Sequence, residues 1–238
     1  MCLEEMRKAA AAYGLSLSDE QLRQFDQYQR LLLAWNERMN LTAITEPREV
    51  AVKHMVDSLS AYTPELFHDG VSVIDVGTGA GFPGIPLKIF CPGIHLTLMD
   101  ALQKRVHFLQ TVVDDLGLEA VSCVHARAEE GARQKAYREQ YDIAVSRAVA
   151  RLSVLAEYCM PFVKRGGYFL ALKGAKYEEE LREAGKALKV MGGSGTETRR
   201  VALPGLDDGR AVIAVHKTMP TPKAYPRKAG TPAKKPIL

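Results

Sequence analysis

The feature that most constrains this chain is a glycine-rich run, Asp75-Val76-Gly77-Thr78-Gly79-Ala80-Gly81-Phe82-Pro83-Gly84, set where a β-rich segment gives way to a helical one. Glycines there let the backbone bend sharply and approach a ligand, while the first turn of the helix offers unpaired N–H donors. From Val71 onward, short β-rich runs alternate with helical stretches, the order that builds a parallel sheet covered by helices. Strands are expected at 71–76, 95–100, 122–127, 141–146 and 167–173, with helices starting near Pro83, Lys104, Glu129, Leu152 and Lys176. Two more strands, 198–203 and 210–216, are joined through Pro204, Gly205 and an Asp208-Gly209 turn, which reads as a hairpin. The result is a doubly wound α/β sheet of seven strands, unlike the two symmetric halves of a dinucleotide-binding fold.

Ahead of the sheet, Ser18 and Gln21 have capping-box form, and Leu22, Phe25, Leu32, Trp35 and Met39 follow at helical spacing until Asn40. A second helix is expected after Thr45 and Pro47, with Val50, Val56 and Leu59 on its apolar side and Pro64 closing it. The chain therefore divides into a helical N-terminal extension (1–65), an α/β domain (66–218) and a C-terminal arm (219–238). Pro220, Pro222, Pro226, Pro232 and Pro236 make that arm extended and irregular.

Charge is unevenly spread. Of 32 basic residues, six (Lys217, Lys223, Arg227, Lys228, Lys234, Lys235) fall in 211–238 with no acidic neighbour there, leaving 26 to face 28 acidic residues elsewhere. Such asymmetry suits a polyanionic partner, and a merely soluble tail explains it equally well. The 47% hydrophobic and 25% charged content excludes a disordered or fibrous chain. No apolar run is long enough to cross a bilayer, and Glu4, Glu5, Arg7 and Lys8 leave no signal core, so a cytoplasmic protein is expected. Cys2, Cys91, Cys123 and Cys159 are scattered and read as reduced packing residues, and the six histidines form no metal-binding pattern.

The glycine spacing admits two ligands. Gly77, Gly79 and Gly81 fit the turn that wraps the methionyl end of S-adenosylmethionine, while Gly79, Gly81 and Gly84 satisfy the dinucleotide fingerprint G-x-G-x-x-G. A carboxylate at Asp75 repels a pyrophosphate and suits an ammonium and a sulfonium. Asp100, closing the second strand, can accept from both ribose hydroxyls of either cofactor, or simply cap the next helix. Ala128 and Glu129 end the third strand, where they can flank an adenine edge, and Glu129 can equally cap a helix.

With these residues the sequence resembles the bacterial 16S ribosomal RNA guanine-N7 methyltransferase family, also called glucose-inhibited division protein B. The resemblance runs through Asn40-Leu41-Thr42-Ala43-Ile44-Thr45, Lys53-His54-Met55-Val56-Asp57-Ser58-Leu59, the glycine turn with Ile85-Pro86-Leu87, Lys104-Arg105-Val106-His107-Phe108-Leu109, Arg127-Ala128-Glu129, Ser146-Arg147-Ala148 and Tyr225-Pro226-Arg227. It implies a class I S-adenosylmethionine-dependent methyltransferase that modifies N7 of one guanine in small-subunit RNA. It also implies cofactor contacts at Gly77, Phe82, Ala128, Glu129 and Arg147, to which the turn adds Thr78 and Gly79 and the second strand Asp100. The family often has Ser after that Asp, where this chain has Ala101, which removes one hydrogen bond.

Guanine N7 carries a lone pair and no proton at neutral pH, so its methylation needs alignment and charge stabilisation, not a general base. Ser146 and Arg147, ending the fourth strand, are the candidates for positioning, with Arg147 on the cofactor or the base carbonyl and Ser146 offering a hydrogen bond. Lys53, His54 and Asp57 can share one helical face as a lid or RNA contact, or be an ion pair beside a core histidine. Lys223, Arg227 and Lys228 of the arm are the candidates for RNA phosphates. The partner expected is 16S ribosomal RNA or the small subunit, met by a monomer without metal. The rival readings are a nicotinamide-dependent oxidoreductase, a non-catalytic RNA-binding or assembly factor, and a small-molecule methyltransferase.

Overall fold

The computed structural model describes residues 3–147 and 150–238, so Cys2 and Ala148, named above, lie outside the described residues. Seven strands form one sheet in the order β3-β2-β1-β4-β5-β7-β6. They are β1 Ser72–Val76, β2 His95–Asp100, β3 Val121–His125, β4 Tyr141–Arg147, β5 Val163–Lys173, β6 Gly193–Val201 and β7 Arg210–Lys217. The first five pair in parallel, and β7 enters between β5 and β6 antiparallel to both. The hairpin is therefore present, but β6 begins at Gly193, not near Thr198. As an edge strand it is exposed along nearly its whole length, so no apolar alternation marked its start. β5 likewise starts early, at Val163, through the exposed Lys164 and Arg165.

The N-terminal helices α1 (Leu3–Ala12) and α2 (Asp19–Met39) pack on one face of the sheet. The capping box forms: Gln21 N donates to Ser18 Oγ (3.1 Å) and Ser18 N to Gln21 Oε1 (2.9 Å), while Asn40 ends the helix at φ 49°. Met6, Phe25 and Leu32 share one apolar cluster with Val73, Leu96 and Phe108, so this extension has no separate core. The single helix expected after Pro47 is broken into α3 (Pro47–Val50), a π-helical turn (Ala51–Val56) and α4 (Asp57–Leu59). Helices α5 (Gly84–Phe90), α6 (Gln103–Asp115), α7 (Ala128–Gly131), α8 (Leu152–Cys159) and α9 (Tyr177–Val190) complete the two covering layers.

The arm is irregular apart from α10 (Thr231–Lys234), yet it is clamped down. Arg138 donates to the carbonyls of Thr221 (2.8 Å) and Tyr225 (2.8 Å), and Arg227 pairs with the buried Glu157 (2.6 Å). Among the described residues no helix is long and apolar enough to cross a membrane. Strand order reverses between β1 and β4, and in open α/β sheets ligands bind beyond the carboxyl ends of such a pair.

Candidate active site

The glycine turn leaves β1 at that reversal. Gly77 N and Thr78 N both donate to Met99 O of β2 (2.9 and 3.2 Å), which folds the turn back over the sheet. At Gly81 (φ +100°) a Cβ would lie 2.4 Å from Ile85 Cδ1 and 2.8 Å from Tyr28 Oη, so only glycine fits. Tyr28, from α2, donates its hydroxyl to Ala80 O (2.5 Å) and so supports the turn from the N-terminal extension. Asp75 is fully buried, and its Oδ2 accepts from Thr78 Oγ1 (2.7 Å) and Gly84 N (2.7 Å). Burial lifts its pKa to about 7. The carboxyl group thus braces the turn from inside and does not line the cleft above it, so, contrary to the expectation from sequence, its charge does not select an ammonium or sulfonium over a pyrophosphate.

Above the turn lies a cleft of about 490 Å³ lined by Gly77, Thr78, Gly79, Phe82, Asp100 and Arg147, among others. Asp100 holds its near wall: Oδ2 accepts from Gly79 N (2.9 Å) and Oδ1 from Leu102 N (2.9 Å). Each oxygen keeps lone-pair capacity for a further donor. Gly79 (φ +62°) has nothing within 4 Å of where a Cβ would stand, so the backbone there is open to a close-lying ligand.

The far wall is a stack. The His54 ring lies on Phe82 (centroids 4.7 Å apart, 28° between planes), and the Arg147 guanidinium sits 4.6 Å from the centroid of the same ring. Arg147 Nη1 donates to Asp57 Oδ2 (2.9 Å) and to the carbonyls of Lys53 (3.2 Å) and His54 (3.4 Å), both in the π-helical turn. His54 Nε2 lies 2.7 Å from Thr42 Oγ1. Burial first, then the neighbouring Arg147 charge, push the His54 pKa down to about 4, so the ring is neutral at neutral pH.

This arrangement has relatives. The family described as rRNA small subunit methyltransferase G matches residues 21–203. A protein named ribosomal RNA small subunit methyltransferase G from Alkaliphilus metalliredigens is 52% identical over 224 residues, covering 94% of each chain. One of the same name from Brevibacillus brevis is 49% identical over 238 residues, 100% of each chain. The chain belongs to the rRNA small subunit methyltransferase G family. Among solved structures, M. jannaschii TYW2 in complex with AdoMet superposes with a TM-score of 0.52 at 15% identity, over 67% of this chain and 73% of that one. A SAM-dependent O-methyltransferase from Thermotoga maritima gives 0.54 at 16% identity, over 79% and 72%. These likenesses establish the fold, that of a class I S-adenosylmethionine-dependent methyltransferase.

Within this methyltransferase the residues singled out from sequence separate into groups. Gly77, Thr78, Gly79, Phe82, Asp100 and Arg147 meet at the cleft, and His54 joins them. Ser146 does not: it is fully buried and its hydroxyl donates to Val76 O (2.9 Å), strapping β4 to β1 beneath the crevice. Ala128 and Glu129 stand beyond β3, where Glu129 Oε1 accepts from Gly230 N of the arm (2.8 Å). Lys53 pairs with Glu49, whereas Asp57 bridges Arg147 and Arg210. Lys223 and Lys228 are exposed, but Arg227 is engaged by Glu157 through its backbone and its guanidinium. Burial pushes the thiols of Cys91 and Cys123 up to about 12 and about 11, which leaves them unreactive. Tyr28 and Arg210 were missed. Tyr28 shares the helical face of Phe25 and Leu32, a spacing that could have revealed it.

Proposed function

We propose that this chain transfers the methyl group of S-adenosylmethionine to N7 of one guanine in 16S ribosomal RNA, as free RNA or in the small subunit. The observation that carries the reading is the cleft at the β1–β4 reversal, in which open glycine backbone and the Asp100 carboxylate face the same space as Phe82 and Arg147. The residues fit the donor: Gly77 and Gly79 would lie against its amino-acid end, and Asp100 would accept from its ribose hydroxyls. When bound, the donor supplies an electrophilic methyl group, which the N7 lone pair takes as the carbon–sulfur bond breaks and its electrons stay on sulfur.

The protein's own part is placement. Phe82, against which both the His54 ring and the Arg147 guanidinium pack, gives the cleft a fixed wall, and the neutral His54 would add no positive charge next to a sulfonium. No proton has to be removed from N7, so the site needs no base. Incubating the protein with labelled donor and small subunits that lack the modification, then mapping N7-methylguanine by chemical strand scission, tests this. Label at a single guanine is expected. Donor binding without transfer, or thermal stabilisation by NAD in place of S-adenosylhomocysteine, would overturn it.

A further inference from the structure

A second cavity, of about 330 Å³, adjoins the donor cleft on the other side of Arg147 and His54, which line both. It sits at the small end of the roughly 300–1,000 Å³ typical of ligand pockets, room for one nucleobase taken out of its stack. Ile44, Leu172 and Val201 give it apolar walls. Its cations differ in how they are held. Lys53 is paired with Glu49, and Lys173 with Glu180 (2.6 Å) and the Ala150 carbonyl (2.8 Å). Arg147 and Arg210 converge on one carboxylate, Asp57 Oδ2 accepting from Arg147 Nη1 (2.9 Å) and Asp57 Oδ1 from Arg210 Nη1 (3.0 Å), while Arg210 Nε also donates to Asp208 Oδ2 (2.7 Å) and leaves its second terminal nitrogen uncommitted to either carboxylate. The Asp57 side chain is 6% exposed, so this bridge is a built part of the wall. Each guanidinium has five N–H groups and spends only some on Asp57 and its other partners.

Resting on the reaction proposed above, we propose that this second cavity holds the acceptor guanine and that Arg147 and Arg210, set in place by Asp57, read its O6. Guanine shows N7 and O6 side by side on one edge, whereas adenine shows N7 beside an amino donor. A guanidinium donates and cannot accept, so it attracts O6 and rejects the adenine amino group. Binding O6 at the wall shared with the donor cleft turns the adjacent N7 toward that cleft. The carboxylate behind the two guanidiniums offsets part of their charge at the place where the purine becomes cationic on methylation. The apolar walls favour a flat base over a phosphate as the occupant. Asp57 acts here as a positioning residue, through the arginines.

The test uses the full chain, labelled donor and small-subunit RNA in which the mapped guanine is replaced by inosine or by 2,6-diaminopurine. Inosine keeps O6 and N7 and lacks the 2-amino group; diaminopurine keeps N7 and the 2-amino group and has an amino group in place of O6. Rates are divided by those of dimethyl sulfate on the same RNAs, which removes differences in intrinsic N7 reactivity. Inosine is expected within about threefold of guanine, and diaminopurine slower by about 10- to 100-fold. D57N is expected to bring the guanine-to-diaminopurine ratio toward one. R210Q is expected to do the same with S-adenosylhomocysteine affinity unchanged, and it serves where D57N does not fold. Diaminopurine methylated as fast as guanine overturns the pocket assignment alone, as does a D57N and R210Q pair that are slower with the ratio unchanged. Wild-type protein that binds donor but leaves guanine unmodified overturns the reaction itself.

Discussion

His54 and Asp75 are titratable groups that burial pushes in opposite directions, one down to about 4 and the other up to about 7. For His54 the unfolded chain takes up its proton near the ordinary 6.5 while the folded chain does not until about 4. Its contribution to stability is therefore intact above 6.5 and is lost as pH falls toward 4, by roughly 3 kcal/mol in all. Asp75 works the other way: its folded form gains a proton below about 7, before the unfolded form does at 3.8, so its share of stability recovers as pH falls. The two nearly cancel in the wild type between 6.5 and 4, which hides both. Comparing the wild type with H54Q by urea denaturation removes the Asp75 part. The stability difference between them should shift by roughly 3 kcal/mol toward H54Q across that window, and a flat difference would mean an ordinary imidazole. The turn glycines, Asp100 and Arg147 were legible in the sequence because each is fixed by its distance from a strand end. The direction of the Asp75 carboxylate was not, since it depends on Thr78 and Gly84 closing the turn around it. Arg210 was hidden for a topological reason: β7 runs antiparallel, which brings its first residue to the carboxyl edge where the parallel strands end.

At the scale of elements, the π-helical turn and the arm carry what periodicity alone does not show. The apolar pattern of 47–59 says helix, but not that one widened turn will present Lys53 and His54 carbonyls to an arginine 90 residues away from Asp57 in sequence. The arm reads as loose because proline and lysine are common in unpacked chain. Its clamps, Arg138 and Glu157, lie 83 and 70 residues distant from the atoms they hold, Thr221 and Arg227, and no local spacing encodes them. Glu157 is 1% exposed, so its charge depends on Arg227 for compensation. Removing one partner of such a pair leaves the other charge buried and costs about 3 kcal/mol or more. R227A should therefore lower the urea midpoint markedly, whereas R227K, which keeps the charge but loses the fork of donors, should fall between it and the wild type. Equal midpoints for R227A and the wild type would show the arm to be undocked in solution.

Across the whole molecule the chain after β7 runs from the end of the sheet where the parallel strands begin to the end where they finish, Thr221 N donating to Glu139 at the first and Gly230 N to Glu129 at the second. Lys217, fully buried, pairs with Glu139 just before β4 begins (2.8 Å), and Gly230 meets Glu129 just after β3 ends. Two of the six basic residues that made the tail look like a nucleic-acid arm are thus spent on internal carboxylates, Lys217 on Glu139 and Arg227 on Glu157. Lys223, Lys228, Lys234 and Lys235 remain exposed. This changes how the RNA-binding expectation has to be tested, because deleting 219–238 would also strip the cover from Glu157 and the partner from Glu129. Replacing the four exposed lysines by glutamine leaves both clamps in place. If all four meet phosphates, the slope of log affinity for RNA against log salt should become shallower by about 3, at roughly 0.7 per contact on a single strand. S-adenosylhomocysteine affinity should stay at the wild-type value, since none of the four lines the donor cleft. An unchanged slope would place the phosphate contacts on cations closer to the cleft, such as Arg105 at its rim.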